Sequence, residues 1–303
     1  MNTKRPHQRS DLYRLAGSAM TERGLEAEFS GRVLEQLSSI TGPGRETAPA
    51  IDDLTGLPWC SIDNDDSLDL DQLTVCEVLP NGAVKLLVAI ADVDTLVKKG
   101  TPIDNHARLN TTSVYTSARI FPMLPERLST DLTSLNAGEE RLALVTEIIF
   151  SADGVLASST VRRARVRNQA KLAYDSVAAW IEGQGDLPAA AAAIPGLEAQ
   201  LRTQDALAQQ LRAQRQSQGA LEFQTFQPRA VFEGEKVVGI RQQEHNRARQ
   251  LIEEVMIATN VCTARFLTAH GARRRFAAPR RAFARALAAD GAGSRSVRRS
   301  VAG

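Results

Sequence analysis

Short apolar blocks fill residues 68–78 and 83–93, and Pro80-Asn81-Gly82 stands between them, so this stretch predicts a β-hairpin. Residues 142–150 and 155–166 predict a second hairpin around Asp153-Gly154, and 221–240 a further strand pair with its turn at Glu233-Gly234-Glu235. Elsewhere the spacing is helical. Leu12, Leu15, Ala16 and Met20, then Leu25, Phe29, Val33, Leu34 and Leu37, predict two helices near the start. Ser30 stands where it can cap the second, and Thr41-Gly42-Pro43-Gly44 ends it. The pair suits either a small helix-turn-helix module or two helices packed on the next domain. Residues 45–56 read as a linker. Ala173–Glu182 predicts a short helix, and 188–215 a longer helical stretch interrupted at Pro195-Gly196. A long helix is expected from about His245 to Ala269. Its apolar residues Leu251, Val255, Ile257, Ala258, Val261, Cys262, Phe266 and Leu267 spread widely enough to predict a largely buried element. Hairpins and helices segregated in this way argue an α+β fold.

One segment does not fit a plain core pattern. Residues 60–72 contain five aspartates, Asp63, Asp65, Asp66, Asp69 and Asp71. Carboxylates this close repel one another unless solvent dilutes them or cations neutralise them. Ile62, Leu68, Leu70, Leu73 and Val75 interleave or follow the cluster and tie it to a core. If a strand begins near residue 68, Asp69 and Asp71 share a face. A turn through Asn64–Ser67 then folds Asp63 back toward them, and three carboxylates can surround one ion. Mg²⁺ and Mn²⁺ take such hard oxygen ligands, and the matching chemistry is metal-assisted phosphoryl transfer or hydrolysis. An EF-hand loop would need Gly at its sixth position and Glu at its twelfth, where this chain has Leu68 and Thr74. A solvated acidic turn remains the competing reading of the residues alone.

Composition narrows the setting. Hydrophobic residues make up 43% of 303, enough for a packed core. No apolar run approaches the ~20 residues that a spanning helix needs. The start, Met1-Asn2-Thr3-Lys4-Arg5-Pro6-His7, is followed by no apolar region, so no secretory signal is read. Cys60, Cys76 and Cys262 lie far apart and read as buried thiols of a reducing, cytoplasmic protein. The four histidines have no zinc spacing. Net charge is +2, but residues 271–303 hold nine arginines and one aspartate, which leaves −6 on the other 270 residues. Any contact of the main domain with a polyanion would rely on a local basic lining.

The acidic stretch belongs to a longer pattern. Ile62-Asp63, Asp69 and Asp71 resemble the catalytic motif of the ribonuclease II and ribonuclease R family, the RNB nucleases. Further signatures follow in order: Leu87-Val88-Ala89-Ile90-Ala91-Asp92-Val93, Gly100-Thr101-Pro102-Ile103-Asp104, Thr112-Ser113-Val114-Tyr115, Pro122-Met123-Leu124-Pro125 and Leu132-x-Ser134-Leu135-Asn136. Gly219-Ala220-Leu221-Glu222-Phe223 and the run from His245-Asn246 through Leu251-Ile252-Glu253-Glu254 to Asn260 complete the set. The likeness covers about residues 55–269. It implies an incomplete RNB catalytic domain, a mixed sheet with helices, over 55–270, preceded by a helical segment over 1–54. The implied activity is 3′-to-5′ hydrolysis of single-stranded RNA to nucleoside 5′-monophosphates, with Mg²⁺, or Mn²⁺, as cofactor. By the same resemblance Asp63, Asp69 and Asp71 are catalytic, and with Gln72 they hold the metal. Tyr115 stacks on the 3′-terminal nucleotide, and Glu253 or Glu254 contacts the RNA. The residues imply no membrane or protein partner.

Three departures stand out. Gln72 replaces the aspartate that commonly ends the motif, and an amide oxygen is the weaker ligand. The first 54 residues look helical, where the family usually begins with oligonucleotide-binding barrels. The family's later Ser-Pro-Ile-Arg-Arg motif, source of an arginine that offsets phosphate charge, does not occur in the 303 residues. Residues 271–303, with ten Ala and nine Arg, read either as a disordered basic RNA-binding tail or as the product of a truncated or out-of-frame gene, and composition favours the second. A truncated chain would turn over slowly. The alternative function is a non-catalytic RNA-binding protein or inactive fragment.

Overall fold

A computed structural model describes residues 9–46, 51–116, 119–220, 228–234, 236–242 and 246–271. The chain divides into two compact units, Met1–Thr259 and Asn260–Gly303. It opens with helices α1 (Arg9–Glu22) and α2 (Gly31–Ser39), then strands β1 (Asp52–Asp53), β2 (Cys60–Asp63), β3 (Gln72–Val78) and β4 (Val84–Ala91). Helix α3 (Pro102–Asn110) leads to the small pair β5 (Val114–Tyr115) and β6 (Ile120–Phe121) and a π-helical turn at Arg127–Leu132. Next come β7 (Glu140–Phe150), β8 (Leu156–Arg167), β9 (Ala170–Ala173), α4 (Tyr174–Ile181), α5 (Ala189–Ala192) and α6 (Leu197–Ser217). A hairpin of β10 (Pro228–Glu233) and β11 (Lys236–Gln242) precedes α7 (Arg247–Ala269).

Seven strands form one sheet in the order β1-β8-β7-β4-β3-β2-β9. Its interior pairs are antiparallel, while β1 on β8 and β9 on β2 run parallel, so the sheet is mixed as expected. Both predicted hairpins form. Gly82 and Gly154 adopt positive φ of 78° and 77° at the tight turns, where a side chain would be strained. One face of the sheet packs Trp59, Leu70, Leu73, Val75, Leu87, Ala89, Val145 and Val166 into the main core. The other face of β3 and β2 lies under α6, whose Gln200 amide donates to Pro58 O at 3.2 Å. Burial on both faces explains why β4 reads as a continuous apolar run.

The N-terminal helices pack on the domain. Val33 joins Val97, Ile103, Leu124, Leu128 and Leu132 in a second core, with Phe29 and Leu37 against it. Polar contacts fix the same joint. Ile103 N donates to Gln36 Oε1 at 2.9 Å, buried His106 meets Glu26 at 2.6 Å, and Arg119 pairs with Glu28. The packed-helix reading therefore holds for this segment.

Local expectations need correcting in four places. The acidic segment enters its strand at Gln72, not at 68, because Leu68–Asp71 is anchored to side chains and backbone outside the ladder. Leu68 is 63% exposed and ties nothing to the core. Ser30 occupies the N-cap position of α2, but its hydroxyl makes no capping bond. Helix α7 is buried at Ala248, Leu251, Ile252, Val255 and Cys262, while Val261 and Leu267 are exposed, so burial does not extend round the whole helix. The segment at 221–227, His245 and the arginine-rich stretch from 272 onward lie outside the described residues.

All three cysteines are free and buried. Burial pushes the Cys60 thiol up to about 11 and the Cys76 thiol up to about 12. Neutral thiols are poor nucleophiles. Both should resist a disulfide reagent at pH 8 and react only on unfolding, which thiol titration with and without denaturant checks. Because the unfolded thiols ionise first, these groups also lower stability as the pH rises above about 9.

Candidate active site at the acidic loop

Strand β2 ends at Asp63, and the chain then turns before rejoining the sheet at Gln72. Asp63 caps its own turn. One carboxylate oxygen accepts from Asn64 N at 2.6 Å and from Ser67 Oγ at 2.9 Å, an Asx-type arrangement that aspartate favours. Asp65 and Asp66 sit exposed at the tip. The returning limb is pinned from the chain segment before β7. Ser134 Oγ accepts from Leu70 N at 3.0 Å and donates to Leu68 O at 2.8 Å, while Leu135 N donates to Leu70 O at 2.7 Å. On the other side Ala91 N donates to Asp71 O at 3.0 Å. The Ser134-Leu135-Asn136 signature thus fixes the backbone that carries Asp69 and Asp71. Leu70 between them is buried, so the two aspartates share the outward side although they precede the strand.

Asp71 is exposed, with protein atoms packed round the base of its carboxyl. That surrounding, with repulsion from Asp63 and then Asp69, pushes its carboxyl up to about 6. Tyr115 stands over the same site from β5, 62% exposed, and its hydroxyl donates to Asp69 Oδ2 at 2.6 Å. Desolvation and this bond to an anion raise the phenol's pKa. Tyr115 thus combines an accessible ring with a fixed position.

The structure brings Asp63, Asp69, Asp71 and Tyr115 together but does not close the carboxylates on one point. Among the described residues no group of three or more His, Cys, Asp or Glu is gathered tightly enough to hold a metal ion. Asp63 is engaged by its own turn, and Asp69 by Tyr115. Gln72, expected among the ligands, is buried on β3. The donor chemistry still suits a hard divalent cation, because the repulsion felt by Asp71 is what such a charge would relieve.

Glu253 and Glu254 separate cleanly. Glu254 is 3% exposed and takes a two-pronged ion pair from Arg215 of α6, at 2.8 and 2.5 Å, so it joins helices and does not face the site. Glu253 is exposed and lies one turn beyond Arg249 on the same side of α7. Arg249 itself reaches the acidic loop, donating to Asn64 Oδ1 at 2.6 Å with its guanidinium 4.4 Å from the Tyr174 ring centroid. Sequence reading missed Tyr174 and Arg249. Positions 64, 72, 174 and 249 share no spacing, and only the fold makes them neighbours. Other family signatures prove structural: Asp92 is buried against Arg163 at 2.7 Å, and Asp104 accepts from Gly100 N at 2.7 Å.

Comparison with known proteins gives the family. The RNB domain family matches residues 51–281, beginning before the acidic loop and running past the end of α7. The chain belongs to the RNB domain family. Ribonuclease R of Escherichia coli K12 is 37% identical over 216 residues, which is 71% of this chain and 26% of that protein. Exoribonuclease 2 of Cronobacter sakazakii is 36% identical over 219 residues, 71% of this chain and 33% of that protein. Among solved structures, Mycoplasma genitalium RNase R in complex with double-stranded RNA superposes with a TM-score of 0.77 at 27% identity, covering 86% of this chain and 45% of that one. The same enzyme with ribose-methylated single-stranded RNA gives 0.76. The chain thus spans about a third or less of the length of these curated relatives.

Proposed function

We propose that this chain is a divalent-metal-dependent exoribonuclease that takes single-stranded RNA from its 3′ end and releases nucleoside 5′-monophosphates. The observation that carries this reading is Asp71, held among protein atoms and crowded by Asp63 and Asp69, beside an accessible tyrosine ring. Membership of a family whose relatives include ribonuclease R and exoribonuclease 2 supports it. Asp63, Asp69 and Asp71 would hold Mg²⁺ or Mn²⁺, which when bound supplies Lewis-acid polarisation and an acidified water. Hydrolysis adds water to the phosphorus and breaks its bond to the 3′ oxygen, which leaves as a hydroxyl. The chain's own part is to place the terminal nucleotide against the ring of Tyr115 and to present the carboxylates beside it. Glu253, not Glu254, is the acidic residue of α7 available to the RNA. No helix among the described residues is long and apolar enough to cross a membrane, and the buried free thiols suit the cytoplasm.

The test is incubation of the purified chain with end-labelled RNA and Mg²⁺ or Mn²⁺. Release of 5′-monophosphates, stopped by a chelator, is expected. RNA binding with no such release would overturn the enzymatic reading in favour of a non-catalytic RNA-binding protein. Tyr115 gives a second check. Tyr115→Ala should lengthen the final undegraded product and weaken retention of short RNAs by about tenfold, since a stacked base contributes about 1–3 kcal/mol. Tyr115→Phe keeps the ring and should keep the product length. An unchanged end product with Tyr115→Ala would remove the stacking role.

A further inference from the structure

Residues from three separate parts of the chain form a bracket at the start of the acidic loop. Arg249, in the first turn of α7, donates to Asn64 Oδ1 at 2.6 Å, immediately after Asp63. Its guanidinium also lies 4.4 Å from the ring centroid of Tyr174, the first residue of α4. Arg249 therefore ties the residue after the first aspartate of the motif to both helices. The helix end that carries Arg249 is itself fixed. Asn246 Nδ2 donates to Asp175 Oδ1 of α4 at 2.8 Å, its Oδ1 accepts from Arg249 N at 3.0 Å, and Arg247 makes a two-pronged pair with Asp205 of α6 at 2.8 Å. A planar guanidinium can stack and donate at once, which a lysine ammonium cannot do in the same geometry.

We infer that Arg249 is the positioning residue of the acidic loop. The guanidinium holds the start of the segment that carries Asp63, Asp69 and Asp71 in place before any cation or RNA arrives. It also keeps a fixed positive charge next to a loop whose carboxylates repel one another. In the catalytic setting the inference rests on the exoribonuclease reading, but the bracket itself does not.

The test uses amide hydrogen exchange of the metal-free chain, read by mass spectrometry, beside RNA hydrolysis. Arg249→Met keeps the side-chain length and removes charge, donors and stacking. Peptides covering residues 64–71 should then exchange about tenfold or more faster, since a hydrogen bond from a charged donor is lost, while β4 and β7 keep their protection. Arg249→Lys should restore part of that protection. In turnover, Arg249→Met should lower kcat about tenfold with KM for RNA within about twofold, and should raise the Mn²⁺ concentration needed for half activity. Unchanged exchange over 64–71 in Arg249→Met overturns the inference whatever the activity. A wild-type chain that hydrolyses no RNA, with exchange over 64–71 still raised by Arg249→Met, defeats the exoribonuclease reading and leaves the bracket standing.

Discussion

Asp71→Asn is expected to lower RNA hydrolysis by at least about a hundredfold and to leave RNA affinity within about twofold. The two side chains have nearly the same shape. The contact that holds this position, from Ala91 N to Asp71 O, is made by the backbone and survives the change. What disappears is one ionisable oxygen pair, in the place where Asp63 and Asp69 already make negative charge costly. A protein keeps a carboxylate in so unfavourable a place when its charge is used, and the proposed use is the hydrolytic step. On the proposed reading, affinity comes mainly from stacking on Tyr115 and from phosphate contacts, neither of which Asp71 supplies. The measurement pairs release of labelled mononucleotide with filter binding of the same RNA. Turnover near the wild-type rate would take Asp71 out of the chemistry. A large fall in affinity with unchanged kcat would make it a binding residue.

Much of this site was legible in the chain because its residues are close in sequence and carry a distinctive charge. Asp63, Asp69 and Asp71 announce themselves by density, and local pattern places Leu70 inward and the aspartates outward. Both hairpins were legible for the same local reason, since Pro80-Asn81-Gly82 and Asp153-Gly154 each encode a turn. The tertiary partners were not legible. Ser134 fixes the loop from 64 residues away, and Arg249 from 185. No periodicity links such positions, so only the sheet order brings them together. The strand boundary failed for a related reason. Leu68, Leu70 and Leu73 look like strand spacing, but Leu68 turns to solvent once Ser134 takes its carbonyl.

The pair Glu253 and Glu254 shows the limit in another way. Adjacent helical positions point about a hundred degrees apart, so one of two glutamates had to turn away. The sequence alone does not say which, because the deciding partner, Arg215, lies on α6. Gln72 is the same lesson at the metal position. Read against a motif it stands for a weaker ligand, and read in the fold it is a buried amide of β3.

The largest expected effect on stability comes from Trp59→Ala. Trp59 is fully buried and is the bulkiest side chain of the main core, where it meets Leu70, Leu73, Leu135 and Val166 with Leu54 and Leu57 against it. Its indole N–H donates to Leu54 O at 2.8 Å, and its backbone carbonyl accepts from Gln169 N at 2.8 Å. Truncation leaves a cavity that a seven-stranded sheet cannot collapse into, and leaves the Leu54 carbonyl with only its weaker bond from Leu57 N at 3.3 Å. The expected loss is about 3–5 kcal/mol, read as a lower urea midpoint with an unchanged slope. Trp59→Phe keeps most of the volume and should lose less than half of that. Since Trp59 immediately precedes β2, and Leu70 of the same core lies between Asp69 and Asp71, the cavity should also loosen the loop that presents the carboxylates. Hydrolysis should then fall even at temperatures where the variant remains folded. A loss below about 1 kcal/mol would mean that the core does not bear on Trp59 as its packing indicates.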